Sequence, residues 1–343
     1  MRSFGSDNNS GVDPQIMQAL VSANSDHTIA YGDDPWTHQA TEAIRTLLGG
    51  KEIDPYFLFN GTGANVVALQ ACTLPFHSIL CASTAHIAVD ECGAPGKITG
   101  AALKEIATPD GKLTPALVQP YLHGFGFEHH SQPKVIAISQ TTELGTLYTP
   151  QEIKALADLA HNHDMYLFVD GTRISNACAI LNVSLKEMTL DAGVDIFTLG
   201  GTKNGLMFGE ALVPLRKELA ENIKYYRKQT AQLYSKMRYI SAQFIPYLNE
   251  GIWLENAKRS NAAAQKLYDG IKSIGGVEIT QPVQSNALFL ILPREITDKL
   301  RERYFFYDWD ESRNEVRLVC SWDTSDEDIR DFVEYLVELT IDN

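Results

Sequence analysis

Six short runs of almost unbroken apolar residues constrain the fold of this chain more than anything else in it. They are "YFLFN" (56–60), "SILCAS" (78–83), "KVIAISQ" (134–140), "MYLFVDGTR" (165–173), "VDIFTLGG" (194–201) and "MFGEALVP" (207–214). A strand with one wet face alternates apolar and polar residues. A strand apolar on both sides is covered on both faces, and such strands belong to a mostly parallel sheet between helical layers. The intervening segments supply those helices. "ANVVALQACTLP" has helical spacing and stops at Pro75. "TPQEIKALADLAHNHD" (149–164) opens on Thr149 and Pro150, an N-cap followed by a residue suited to the first turn.

From about 215 the pattern turns helical and more polar, through "RKELAENIKYYRKQTAQLYSKMRYISAQFIPYL" and then "NAAAQKLYDGIKSIGG". The tail, "NALFLILP", "EVRLVCSW" and "TSDEDIRDFVEYLVELT", reads as two strands and a terminal helix. The expected organisation is a large α/β domain over 16–255 and a small α+β C-terminal domain over 256–343. Segment 1–15 is expected to pack on the large domain. The 343 residues suit two such units.

Forty-three acidic residues against 29 basic ones give a net charge of −14. That balance repels phosphate backbones, so no nucleic-acid partner is expected. No run approaches the roughly 20 apolar residues of a transmembrane helix, so no membrane partner is expected either. The opening "MRSFGSDNNSGVDPQIMQAL" is too polar for a signal peptide, and the expected location is the cytoplasm. The five cysteines (72, 81, 92, 178, 320) are scattered and form no CxxC pair. They read as free core thiols, with no disulfide and no metal site expected.

Ligands of open α/β sheets gather outside the C-terminal ends of strands, and four polar clusters follow strands here. Gly61-Thr62-Gly63 ends one strand and opens a helix; it is either a plain tight turn or a phosphate cradle of free N–H groups. Asp170 ends an apolar strand with Arg173 three residues on; they form either a turn-capping pair or a carboxylate for a protonated ring nitrogen. Lys203, in "FTLGGTKNGLMFGEALV", is either a solvated hairpin tip or a partly desolvated amine that forms a Schiff base with an aldehyde. His86, in "CASTAHIAVDECGAP", is either structural or stacked on a planar ring. Phosphate turn, histidine, Asp-x-x-Arg, then a lysine 33 positions after Asp170: this order resembles the aspartate-aminotransferase-type (fold type I) pyridoxal-phosphate enzymes. Each part has a chemical reason. Phosphate needs donors, the pyridinium needs a carboxylate to remain an electron sink, and the aldehyde needs an amine.

A closer resemblance spans nearly the whole chain. "YGDDP" (31–35), "NGTGANVVAL", "VDGTRISNA", "FGSDNNSGVDPQIMQAL" and "NEVRLVCSWDTSDEDI" resemble motifs of the low-specificity L-threonine aldolases, in the β-eliminating-lyase group. The resemblance implies pyridoxal 5'-phosphate held on Lys203, with Asp170 at the pyridine nitrogen. Arg173 would meet the phenolic oxygen or the substrate. Gly61, Thr62 and Gly63 would hold phosphate, and His86 would stack on the ring. Ser6 and Arg317 would hold the substrate carboxylate, Arg317 through a bidentate fork. In "GFEHHSQPKVIAI", His129 aligns with a second active-site histidine, so His129, or His86 with water, is the expected base.

The implied reaction is retro-aldol cleavage of L-threonine or L-allo-threonine to glycine and an aldehyde. The rivals are β-elimination from a cysteine- or aromatic-type amino acid, transamination, or a non-catalytic binding role, against which the intact Lys203 argues. A homodimer or homotetramer with shared sites is expected. Arg227, Lys228 and Arg238 lie on a helical stretch (222–244) that is its interface, a source of phosphate contacts to the neighbouring subunit, or a solvated basic face. The departures are Thr202-Lys203-Asn204 for Ser-Lys-Gly, "SQTTELG" (139–145) for Glu-Asn-Thr-His-Asn, "SDNNSG" for Ser-Asp-Thr-x-Thr, and Val169 where the family often has histidine.

Overall fold

A computed structural model describes residues 2–341 of the chain. The apolar runs become six strands of a seven-stranded sheet: β1 (Tyr56–Leu58), β2 (His77–Ala82), β3 (Ala102–Ile106), β4 (Gln132–Ser139), β5 (Tyr166–Asp170), β6 (Ile196–Gly200) and β7 (Glu210–Pro214), of which β3 is the addition. Their spatial order is β1-β7-β6-β5-β4-β2-β3. The β3–β2–β4–β5–β6 pairs are parallel, and β7 is antiparallel to both its neighbours. Every residue of β6 and of β7 is buried, as two-sided coverage requires. β3 has no apolar run behind it. Its "ALKEI" is a half-exposed edge strand, so its sequence carries no two-sided burial signal.

Among the helices, α1 (Pro14–Ala23), α2 (Pro35–Leu47), α3 (Gly61–Cys72), α4 (Pro150–His161) and α5 (Ile174–Leu181) belong to this layer structure. Thr149 and Glu152 cap α4 with a reciprocal pair of hydrogen bonds. α3 is apolar nearly all round and almost wholly buried. The polar stretch after 215 breaks into Lys217–Ala220, Ile223–Gln229 and α6 (Arg238–Asn249).

The expected domain boundary at 255/256 falls inside a helix, α7 (Ile252–Ile271). Ile252 and Trp253 at its start belong to the large core, whereas Ala263, Ala264, Leu267 and Ile271 belong to a second core. That second core backs a four-stranded antiparallel sheet of β8 (Glu278–Ile279), β9 (Ala287–Ile291), β10 (Tyr307–Asp310) and β11 (Glu315–Val319), with the helix α8 (Asp326–Ile341). The N-terminal segment starts on this small unit, not on the large one. Arg2–Ser3 pairs with Tyr304–Phe305, and the Phe4 ring is fully buried in the second core. Arg2 adds ion pairs to Asp323 and Asp328. The segment crosses to the large unit only from Asp7 onward, because the apolar anchor Phe4 precedes its polar residues.

Candidate active site

One cavity of about 1400 Å³ opens where β1, β2, β4, β5 and β6 end, with β10 and β11 on its far wall. Of the residues expected from sequence, Ser6, Gly61, Thr62, His86, Asp170, Arg173, Lys203 and Arg317 line it. Two do not. Gly63 gives its N–H to the Asn60 side chain (2.8 Å), and a Cβ there would lie 2.2 Å from the Gln232 amide. That glycine makes room for Gln232, and the free donors of the first turn are those of Gly61 and Thr62. His129 is also elsewhere. Its side chain is 72% exposed beside Glu128, just ahead of the N-terminal end of β4. The length of that strand, on the order of 20 Å at the usual rise, separates it from the cavity.

Backbone crowding fixes the strand ends that carry the site. A Cβ at Gly171 would lie 2.0 Å from the Thr198 carbonyl oxygen, and one at Gly200 would lie 2.1 Å from that of Thr172. Only glycine permits this close approach, and it brings the Asp170 and Lys203 turns together. Lys203 sits in a single 3-10 turn, Thr202–Asn204, after β6. Its neighbour Asn204 is explained by the structure. The Asn204 amide donates to Tyr247 Oη and the Trp253 carbonyl oxygen, both at 2.8 Å, so the lysine turn is pinned to α6 and α7. Tyr247 in turn donates to the Gly200 carbonyl oxygen (2.8 Å).

The Lys203 amine has no hydrogen-bond or ion partner among the described residues. Burial, then the charge of Arg173, lowers its pKa, opposed by Asp7, Asp170 and Glu210. Both effects favour the neutral, nucleophilic amine. Burial likewise raises the Glu210 carboxyl to about 7 on the lysine side of the cavity.

Asp170 is tightly held. Its Oδ1 accepts from the Thr172 N–H (3.0 Å) and hydroxyl (2.6 Å), and its Oδ2 accepts from Asn65 Nδ2 (2.9 Å). Asn65 Nδ2 also donates to Glu91 Oε1 (2.9 Å), which faces His86 Nδ1 at 3.1 Å. A carboxylate only accepts, so the imidazole carries its proton on Nδ1. This bond is the main reason the His86 pKa is raised; burial works against it and Asp170 adds to it.

Arg173 is engaged on its far side. Its Nε and Nη2 fork onto both oxygens of Asp7, at 2.7 and 2.8 Å, and Asn286 donates to Asp7 as well. Burial raises the Asp7 pKa, but the charges of Arg173 and Lys203 and these hydrogen bonds outweigh it and leave the pKa lowered. Arg317 stands on β11 over the Trp309 ring, with its buried Nε unpartnered. An unpaired buried guanidinium is an anion receptor waiting for a carboxylate. Ser6 accepts from the Asn8 N–H at the cavity edge.

Sequence reasoning missed Asp7, Asn65, Glu91 and Glu143, although each lies in a segment it had quoted. Arg227, Lys228 and Arg238 lie outside the cavity lining. Arg227 donates to the Phe57 carbonyl oxygen, Lys228 sits over Tyr31, and Arg238 donates to the Ser25 and Asp26 carbonyl oxygens.

The fit to pyridoxal phosphate rests on donors at the first turn of a buried helix, a carboxylate held from two sides, and a half-buried amine without a partner among the described residues, in one cavity. Fold and site together fit a pyridoxal-phosphate-dependent enzyme of fold type I. The family described as beta-eliminating lyase matches residues 3–293. The chain is 40% identical over 330 residues to a low specificity L-threonine aldolase of a Pseudomonas species, covering 96% of this chain and 95% of that one. It is 39% identical to another from Pseudomonas aeruginosa, with the same coverage. A Leishmania major threonine aldolase structure superposes with a TM-score of 0.94 at 31% identity, covering 99% of this chain and all of that one. At 16% identity, the Thermus thermophilus aspartate aminotransferase shares the fold alone, with a TM-score of 0.71 over 96% and 89% of the two chains. The chain belongs to the beta-eliminating lyases, among the low-specificity L-threonine aldolases.

Proposed function

We propose that this enzyme breaks the Cα–Cβ bond of L-threonine or L-allo-threonine, giving glycine and acetaldehyde. The observation that carries the reading is the Lys203 amine, without a partner, in the same cavity as the doubly held Asp170. The substrate class is supported by the relatives. When bound, pyridoxal phosphate supplies an electron sink for the charge left at Cα. Lys203 would be the amine for its aldehyde and Asp170 the carboxylate for its ring nitrogen, Gly61 and Thr62 would donate to its phosphate, and His86 would stack on its ring. Arg317 and Ser6 take the substrate carboxylate, with the remaining Arg173 nitrogen beside them. That grip orients Cα and presents the Cα–Cβ bond for cleavage.

The active form is proposed to be a homodimer or homotetramer. Phe59 and Met207, 45% and 42% exposed on the cavity lining, are apolar surfaces open to a second copy, which supports this reading. Lys203→Ala removes the visible absorption of the bound cofactor and abolishes aldehyde release from threonine. An unchanged spectrum in that variant refutes the assignment. Product analysis separates the rivals: aldehyde with glycine supports cleavage, whereas pyruvate with ammonia, or a keto acid, refutes it.

A further inference from the structure

Removing His129 from the site leaves the reaction without its second expected base, and the cavity holds another group in that role. Glu143 follows β4 in "SQTTELG" and lines the cavity. One of its oxygens is fully engaged: Oε1 accepts from the Ser139 hydroxyl (2.6 Å) and from the His86 N–H (2.8 Å). The other, Oε2, has no hydrogen-bond partner among the described residues. The carboxylate is thus locked in orientation by one oxygen and free to accept a proton on the other.

We propose that Glu143 is the general base that takes the β-hydroxyl proton, an inference that rests on the aldol-cleavage reading.

Other carboxylates on the cavity wall are committed or misplaced. Both Asp170 oxygens are used as described. Asp308 is paired with Arg301 (2.6 Å), and Glu315 with Thr280 and Arg313. Asp90 and Glu311 are exposed at the rim, and Asp310 Oδ1 accepts from the Ser312 N–H and hydroxyl. Glu210 Oε2 accepts from the Gly201 N–H (3.0 Å) at the start of the lysine turn, whereas Glu143 stands beside His86, whose backbone N–H it accepts. His86 has its Nδ1 tied to Glu91 and its ring face given to the cofactor. Burial raises the Glu143 carboxyl, against hydrogen bonds from Ser139 and His86 that lower it, which makes it a better proton acceptor than a solvated glutamate.

The step balances. The hydroxyl proton passes to Glu143 Oε2, the O–H pair becomes the second bond of the aldehyde carbonyl, and the Cα–Cβ pair stays on Cα. Cα then takes one proton, Glu143 returns one to solvent through the open mouth, and the sum is glycine plus acetaldehyde.

Glu143→Gln keeps an oxygen for Ser139 and His86 but places an NH2 where the base was. The expected result is a fall in kcat for threonine cleavage of about 10²- to 10⁴-fold, the usual worth of a positioned base. Pyridoxal-phosphate affinity of the apoenzyme, read by fluorescence titration, stays within about twofold. Exchange of the glycine α-proton in D2O, which involves no β-hydroxyl, also persists. Cleavage within about threefold of wild type overturns the proposal. Loss of exchange and cofactor affinity together with cleavage overturns it too, because Glu143 then serves to hold His86. If wild-type enzyme itself releases no aldehyde from threonine, the aldol reading has failed, a result distinct from either.

Discussion

Glu91→Gln tests whether the buried chain His86–Glu91–Asn65–Asp170 sets the proton on the histidine that covers the ring site. The replacement keeps an oxygen for both Asn65 and His86 Nδ1 and removes only the charge. A hydrogen bond to an ionised acceptor is worth about 1.5–3 kcal/mol, and a neutral one about 0.5–1.5. The loss is therefore about 1–1.5 kcal/mol in favour of the protonated imidazole, close to one pKa unit at about 1.4 kcal/mol per unit. The His86 side chain remains 34% exposed, and solvent screening trims the expected drop to about half a unit to one unit. The sign follows from linkage. The folded His86 pKa lies above the ordinary 6.5 of histidine, so its contribution to stability is complete below pH 6.5 and is lost as pH rises through the folded value. The stability gap between wild type and Glu91→Gln should therefore be widest near pH 6 and shrink toward pH 9. Imidazole carbon-13 NMR titration, assigned with His86→Phe, reads the pKa, and urea midpoints at the two pH values read the linkage. An unchanged His86 midpoint refutes the reasoning.

Two further changes probe the scaffold. Asn204→Ala leaves the Trp253 carbonyl oxygen and the Tyr247 hydroxyl short of a buried donor, at about 1–3 kcal/mol each, so urea unfolding should show a loss of about 2–4 kcal/mol. Asp7→Ala strands the Arg173 guanidinium and should cost about 3–5 kcal/mol at neutral pH. The Asp7 pKa is lowered from 3.8, so its contribution is present above pH 3.8 and lost as pH falls through the folded value. Urea midpoints of wild type and variant should accordingly converge in acid and stay apart from pH 5 to 7.

The layer architecture was legible because two-sided burial writes itself into unbroken apolar runs. β3 was not, because its half-exposed "ALKEI" carries no such run. Eight of the ten residues expected at the site do line the cavity: six sit at or just after the end of a strand of the large sheet, while Ser6 and Arg317 come from the N-terminal segment and the small sheet. His129 failed because two histidines close to the start of β4 were aligned by residue type, and the strand direction sends them to the opposite end. Glu143 lies at the correct end of that same strand, in a segment already marked as a departure. Asn204, inexplicable in the sequence, is a bridge to two helices that begin some 35 and 50 residues later.

By itself the sequence determined the parallel sheet, the order of phosphate turn, histidine, carboxylate and lysine, and with them the cofactor class. Those features depend on local periodicity and on which residues follow a strand. Only the tertiary structure decided the partners: Asp7 on Arg173, Asn65 between Asp170 and Glu91, an unpaired Arg317, and one free Glu143 oxygen. Such pairings join residues up to 166 positions apart. A side chain's charge state and orientation are set by neighbours that packing brings in, and no spacing along the chain specifies them.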